Sequence, residues 1–150
     1  MAFLNEQDAA HVRKRLTDEM DHDVRLVLFA PSTGGLALPG QDWEMAEYTR
    51  QILKELAGLS DRVILEEHSA TSEPDLASQY GVARTPMTAV IGAADYVVRY
   101  YGMPAGYEFV TLLELVLDVS KGRPELSAAT LEALGGLPAD THLQVFVTPT

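Results

Sequence analysis

The sequence predicts an α/β domain built on a mixed four-stranded sheet with helices on both faces, followed by a C-terminal helix–strand tail. Three observations predict it. Short apolar runs bounded by Gly, Pro or Asp recur along the chain, as buried strands require. Between them lie stretches whose apolar residues recur at helical spacing. The third and fourth strand-like runs are separated only by Gly92-Ala93-Ala94-Asp95, a turn that makes them an antiparallel pair. The first two are separated by a helix, as a right-handed parallel crossover needs.

The elements follow in order. From Leu4 to Met20, the residues Ala9, Val12, Leu16 and Met20 form one helical face, with Arg13, Lys14, Asp18 and Glu19 opposite. Asp21-His22-Asp23 ends it, and Val24 to Ala30 reads as a buried strand closed by Pro31. Ser32 to Gly40 is too rich in Gly and Pro to be regular. A second helix starts near Asp42, its expected N-cap, with Met45, Tyr48, Ile52, Leu53 and Leu56 as its apolar stripe and Gly58 as its stop. Arg62 to His68 is a second strand, and a short helix from Asp75 to Tyr80 is capped by Gly81. Strands Met87–Ile91 and Tyr96–Tyr101 follow, then a helix from Tyr107 to Ser120 with Phe109, Leu112, Leu113, Val116 and Leu117 inward. Lys121 to Pro124 reads as a linker, Leu126 to Leu134 as a short helix capped by Ser127, and Leu143 to Val147 as a strand. This helix-then-strand tail echoes the way the chain opens.

With 150 residues, 47% hydrophobic and 22% charged, the chain has the makings of one ordinary core. A chain of that length buries roughly 70% of its unfolded surface. The net charge of −11 argues against nucleic acid and anionic membrane surfaces, both of which need a Lys/Arg face. The excess acid is concentrated before Gly81, with 15 Asp/Glu against 7 Lys/Arg, and reads as a solvated, solubilising surface. The first residues carry no basic segment followed by an apolar one, and no apolar run is long enough to cross a membrane, so a cytoplasmic location is expected. There is no cysteine. Disulfides, thiolate nucleophiles and sulfur-ligated metals are thereby excluded from this chain.

Two stretches give the pattern a family. Tyr80-Gly81-Val82-Ala83-Arg84-Thr85-Pro86-Met87 resembles the cis-proline segment of thioredoxin-fold proteins, whose topology matches the predicted order of elements. Tyr100-Tyr101-Gly102-Met103-Pro104-Ala105-Gly106-Tyr107-Glu108-Phe109 resembles the run leading into the last helix of the first unit in glutaredoxin-like protein disulfide oxidoreductases. Those are tandem proteins of two thioredoxin-fold units. Leu59-Ser60-Asp61, Val119-Ser120 and Leu126-Ser127 fit the same family, in matching order over essentially the whole chain.

The departures are equally specific. The family carries Cys-x-x-Cys after the first strand of each unit, where this chain has Pro31 to Gln41. Family members also run from a strand resembling Gln144 to Thr150 into a second Cys-Pro-x-Cys site. The resemblance therefore implies a thioredoxin-like domain over residues 1–121. Residues 122–150 would be a linker plus the opening helix and strand of a second unit, and the chain a piece of a longer protein.

Candidate sites come from the same residues. Pro31, Ser32, Thr33, Gly34 and Trp43 form a degenerate active-site loop. A thiolate at a helix N-terminus is stabilised by the dipole and free N–H groups. The hydroxyls of Ser32 and Thr33 are neither redox-active nor appreciably ionised. As a hydrolytic nucleophile Ser32 needs a base, and His11, His22, His68 and His142 lie far from it in sequence. Ser32-Thr33-Gly34-Gly35 lacks the Gly-Lys-Ser/Thr ending of a phosphate loop. Trp43 is read either as a cover for the hollow left by the lost turn or as a plain core anchor. Thr85 and Pro86 are the candidate client-binding residues, because the resemblance implies strand addition by an extended peptide beside this proline. An alternative is that Pro86 serves the fold alone. Glu66 and Glu67 point to opposite strand faces and do not converge on a metal; with Asp21 and Asp23 they read as solvated charge. No metal and no cofactor are expected.

The function expected is that of a non-catalytic thioredoxin-fold module, the scaffold or client-binding half of a protein disulfide oxidoreductase-like protein. Its partners would be a protein or peptide client, or a redox-active partner domain. The alternative is a stand-alone oligomerising protein, a homodimer paired through the C-terminal strand.

Overall fold

A computed structural model describes residues 3–31, 43–123 and 125–141. The elements are α1 (Glu6–Glu19), β1 (Val24–Phe29), α2 (Trp43–Ala57), β2 (Val63–His68), α3 (Pro74–Gln79), β3 (Met87–Ile91), β4 (Val98–Tyr101), α4 (Tyr107–Lys121) and α5 (Ala128–Gly135). The four strands form one mixed sheet in the order β2-β1-β3-β4. β1 and β2 are parallel, with Val24 beside Val63 and Phe29 beside His68. β3 runs antiparallel to both β1 and β4. The expected topology is the observed one.

Alternation along β1 divides the core in two. Val24, Leu26, Leu28 and Ala30 face a layer made by α1, α2 and α4, among them Leu16, Leu53, Leu112 and Leu117. Val27 and Phe29 face the other way, where Met87, Ala89 and Ile91 of β3 meet Ala77 of α3. The helices are thus unequally shared, with α3 alone on the second face among the described residues. There, Arg25 closes an ion pair with Glu66, and Arg99 donates to the carbonyl of Tyr80 at 2.9 Å while pairing with Asp95.

Helix ends follow local chemistry. Asn5 caps α1 by accepting from the Asp8 N–H at 2.8 Å. Gly81, just past α3, holds φ +66, a conformation that costs a side-chain-bearing residue more than glycine. In α4 the five residues predicted to face inward are all buried, and Ser120 joins them. Its hydroxyl accepts from the His22 N–H at 2.9 Å and donates to the His22 carbonyl, tying the end of α4 to the connection between α1 and β1.

Two expectations are corrected, and a third is met. The buried face of α2 is Ala46, Thr49, Arg50, Ile52, Leu53 and Leu56, while Tyr48 is 51% exposed and Met45 half-buried. Two polar residues replace them because each finds a partner. Thr49 donates to the Met45 carbonyl at 2.8 Å, and Arg50 is ion-paired. β4 starts at Val98 rather than Tyr96, because Val97 has φ +61, which a β-branched residue cannot hold within a ladder. Val97 is kept there by its N–H bond to Asp95 at 2.8 Å. The helix predicted at the tail forms as α5, capped by Ser127, but buries none of its residues.

Asp42, Ser32, Thr33, Gly34 and the strand expected at 143–147 lie outside the described residues. Among the described residues no helix is long and apolar enough to cross a membrane.

Candidate functional site

The register of β1 against β3 builds the site. Phe29 stands opposite Met87, so Ala30 and Pro31 leave β1 at the same end of the sheet where Thr85 and Pro86 enter β3. The structure therefore brings together two segments that are more than fifty residues apart in sequence. The Thr85–Pro86 bond is cis. Pro86 is buried and its carbonyl accepts from the Gly102 N–H at 3.0 Å, which ties it to the end of β4. Thr85 is half-buried, and among the described residues neither its N–H nor its carbonyl has a backbone partner. A backbone left open beside a sheet is what an added strand uses.

Pro31 is buried, and its carbonyl accepts from Nη2 of Arg50 at 3.2 Å. Arg50 is 7% exposed, so its charge must be met locally. Nε donates to Glu67 at 2.7 Å and Nη1 to Glu47 at 2.6 Å, and Lys54 completes the cluster at 3.0 Å from Glu67. Burial opposes ionisation of Glu67, but its bonds from Lys54 and Arg50 outweigh this and hold the carboxyl below the ordinary range. Glu66 points to the opposite face and is likewise held down, chiefly by its bond from Arg25. The two glutamates do not converge, as strand alternation requires. They are engaged in ion pairs rather than merely solvated. Among the described residues no group of three or more His, Asp or Glu is placed to hold a metal.

Trp43, the first residue of α2, is half-buried. His68, remote in sequence from Pro31, lies at the same sheet end. Its ring stacks on Phe29 with centroids 5.5 Å apart, and its Nδ1 lies 3.0 Å from Glu73. The hydrogen bond to His68 keeps the Glu73 carboxyl below its ordinary value. Arg50 and His68 escape sequence reasoning because neither belongs to a local motif. A lone arginine on the apolar side of α2, spaced with Leu53, is the available signal for Arg50.

Chemically, this end of the sheet offers an open backbone edge, a proline, a buried arginine holding the Pro31 carbonyl, and no thiol. The fold and site define a thioredoxin-like module without a dithiol. No protein-family model matches the chain. It is 25% identical over 138 residues to the alkyl hydroperoxide reductase AhpF of Staphylococcus aureus, covering 91% of this chain and 23% of that protein. Among solved structures it is similar to a protein disulfide oxidoreductase from Aeropyrum pernix, with 25% identity, a TM-score of 0.71, and coverage of 91% of this chain and 57% of that one. It also matches the N-terminal domain of alkylhydroperoxide reductase AhpF from Enterococcus faecalis, with TM-score 0.73 and 21% identity over 90% of this chain and 61% of that chain. The chain thus spans about a quarter of the curated relatives' length. The resemblance carried by the Pro86 and Tyr101–Phe109 segments is borne out at the level of fold and neighbours.

Proposed function

We propose that the chain is the non-catalytic, client-binding or scaffolding thioredoxin-fold module of a protein disulfide oxidoreductase-like protein. The observation that supports this best is the pairing of Pro86 and the open Thr85 backbone with a chain that has no cysteine. A site that retains the strand-adding edge but has no dithiol holds an extended substrate without exchanging disulfides with it. The electrons come from a redox-active partner domain or protein. The names of the similar proteins, a disulfide oxidoreductase and an alkyl hydroperoxide reductase, fit a module that works within a larger redox assembly. Residues 122–150 would then lead toward a second unit. Insulin reduction by this chain alone with dithiothreitol tests the non-catalytic half of the reading: the expected rate is that of dithiothreitol alone, and turnover above it overturns the proposal.

A second reading is a homodimer paired through the tail. It is favoured by Leu126, Leu131, Leu134 and Leu137, each between 44% and 48% exposed on or beside α5. Sedimentation with and without residues 123–150 separates it: a monomer in both cases eliminates the homodimer.

A further inference from the structure

We infer that Arg84 makes this edge selective for extended peptides carrying acidic side chains. Such selectivity depends on the strand-adding role proposed for Thr85. Arg84 immediately precedes Thr85, is exposed, and lies with its guanidinium carbon 5.0 Å from the centroid of the Tyr101 ring. Arg15, Arg25, Arg50 and Arg99 each close an ion pair with a carboxylate. Arg84 closes none among the described residues, and none of its N–H groups has a hydrogen-bond partner there, although the chain holds 22 carboxylates. An aromatic face fixes a guanidinium in place while leaving its edge N–H groups unspent. Those N–H groups form a planar fork suited to a carboxylate. An extended peptide that pairs with Thr85 sends side chains alternately to either side, so one of them comes beside Arg84. The overall negative charge of the chain repels an acidic peptide at long range, but at physiological salt that field is screened beyond about 8 Å. A contact ion pair at Arg84 then decides the preference.

Fluorescence anisotropy at physiological salt tests this with labelled Thr-Val repeat peptides bearing a pair of aspartates, asparagines or lysines. The expected result is binding of the aspartate peptide about fivefold tighter than the asparagine peptide. The preference is abolished in Arg84→Ala, reversed toward lysine in Arg84→Glu, and partly kept in Arg84→Lys. Equal binding of the aspartate and asparagine peptides, or an acidic preference that survives Arg84→Ala, overturns the inference and leaves the client-binding reading intact. Binding of none of the three peptides overturns both.

Discussion

The guanidinium of Arg50 in α2 donates to the carbonyl of Pro31 at 3.2 Å, at the point where the chain leaves β1. The same side chain reaches Glu67 on β2, so one buried cation joins a helix, a strand and the residues that leave β1. The partners need each other: an arginine this buried is tolerable only with its charge met, and the carbonyl of buried Pro31 needs a donor.

Replacing Arg50 with Met keeps most of the aliphatic stem and removes the charge. Pro31 then loses its donor and Glu67 retains only Lys54. A loss of about 2 kcal/mol is expected, discounted because Glu47 and Glu67 are partly solvated. Urea denaturation monitored by Trp43 fluorescence measures it.

Thr88 predicts the opposite sign. Its hydroxyl is buried on β3 and, among the described residues, has no hydrogen-bond partner. Thr88→Val removes a desolvated polar group at nearly constant shape. A gain of up to about 1 kcal/mol is expected, read as a higher urea midpoint with unchanged slope.

Gly92 follows β3 and packs against α4. A Cβ there would stand 2.5 Å from the Val119 carbonyl oxygen and 2.9 Å from its Cγ1. Because the obstacle is helix backbone, Gly92→Ala must push strand and helix apart. A loss of about 2 kcal/mol is expected by thermal denaturation.

Much of the architecture is legible in the sequence. β1 and β3 announce themselves because strands buried on both faces are almost wholly apolar, with only Arg25 and Thr88 as exceptions, and α4 because its stripe repeats at 3.6 residues. The α2 stripe differs from its expected residues for a physical reason: Thr49 and Arg50 are polar by composition and buried by partnership, and the partners of Arg50 include Glu67 on β2. Val97 cuts β4 short through a backbone conformation that no composition rule assigns to valine. At the site, Pro86 can be read from its motif. The convergence of Pro31, Arg50 and Thr85 cannot, since it depends on the register of β1 against β3 and on an ion pair across elements.

Acid should unfold the protein through its paired carboxylates. Glu66, Glu67 and Asp95 are all held below their ordinary values by arginine or lysine partners. A carboxyl depressed in the folded state contributes stability above its unfolded value, 4.5 for the glutamates and 3.8 for Asp95, and loses it as pH falls through the lower folded value. Stability measured from neutral pH downward should therefore be level until about pH 5 and then fall. Glu67→Gln should start less stable and decline less steeply, which urea midpoints at several pH values will show.

The proposed function requires an edge at Thr85 and Pro86 that takes up an extended peptide without redox chemistry. Titrating the isotope-labelled chain with the asparagine-bearing Thr-Val peptide, and following backbone amide shifts by NMR, tests this most directly. Peptide uptake at this edge predicts saturable shifts centred on Arg84, Thr85 and Met87 and extending to Ala30 across the sheet end. Shifts that avoid this edge and gather instead on α5, or no shifts at all, would contradict it.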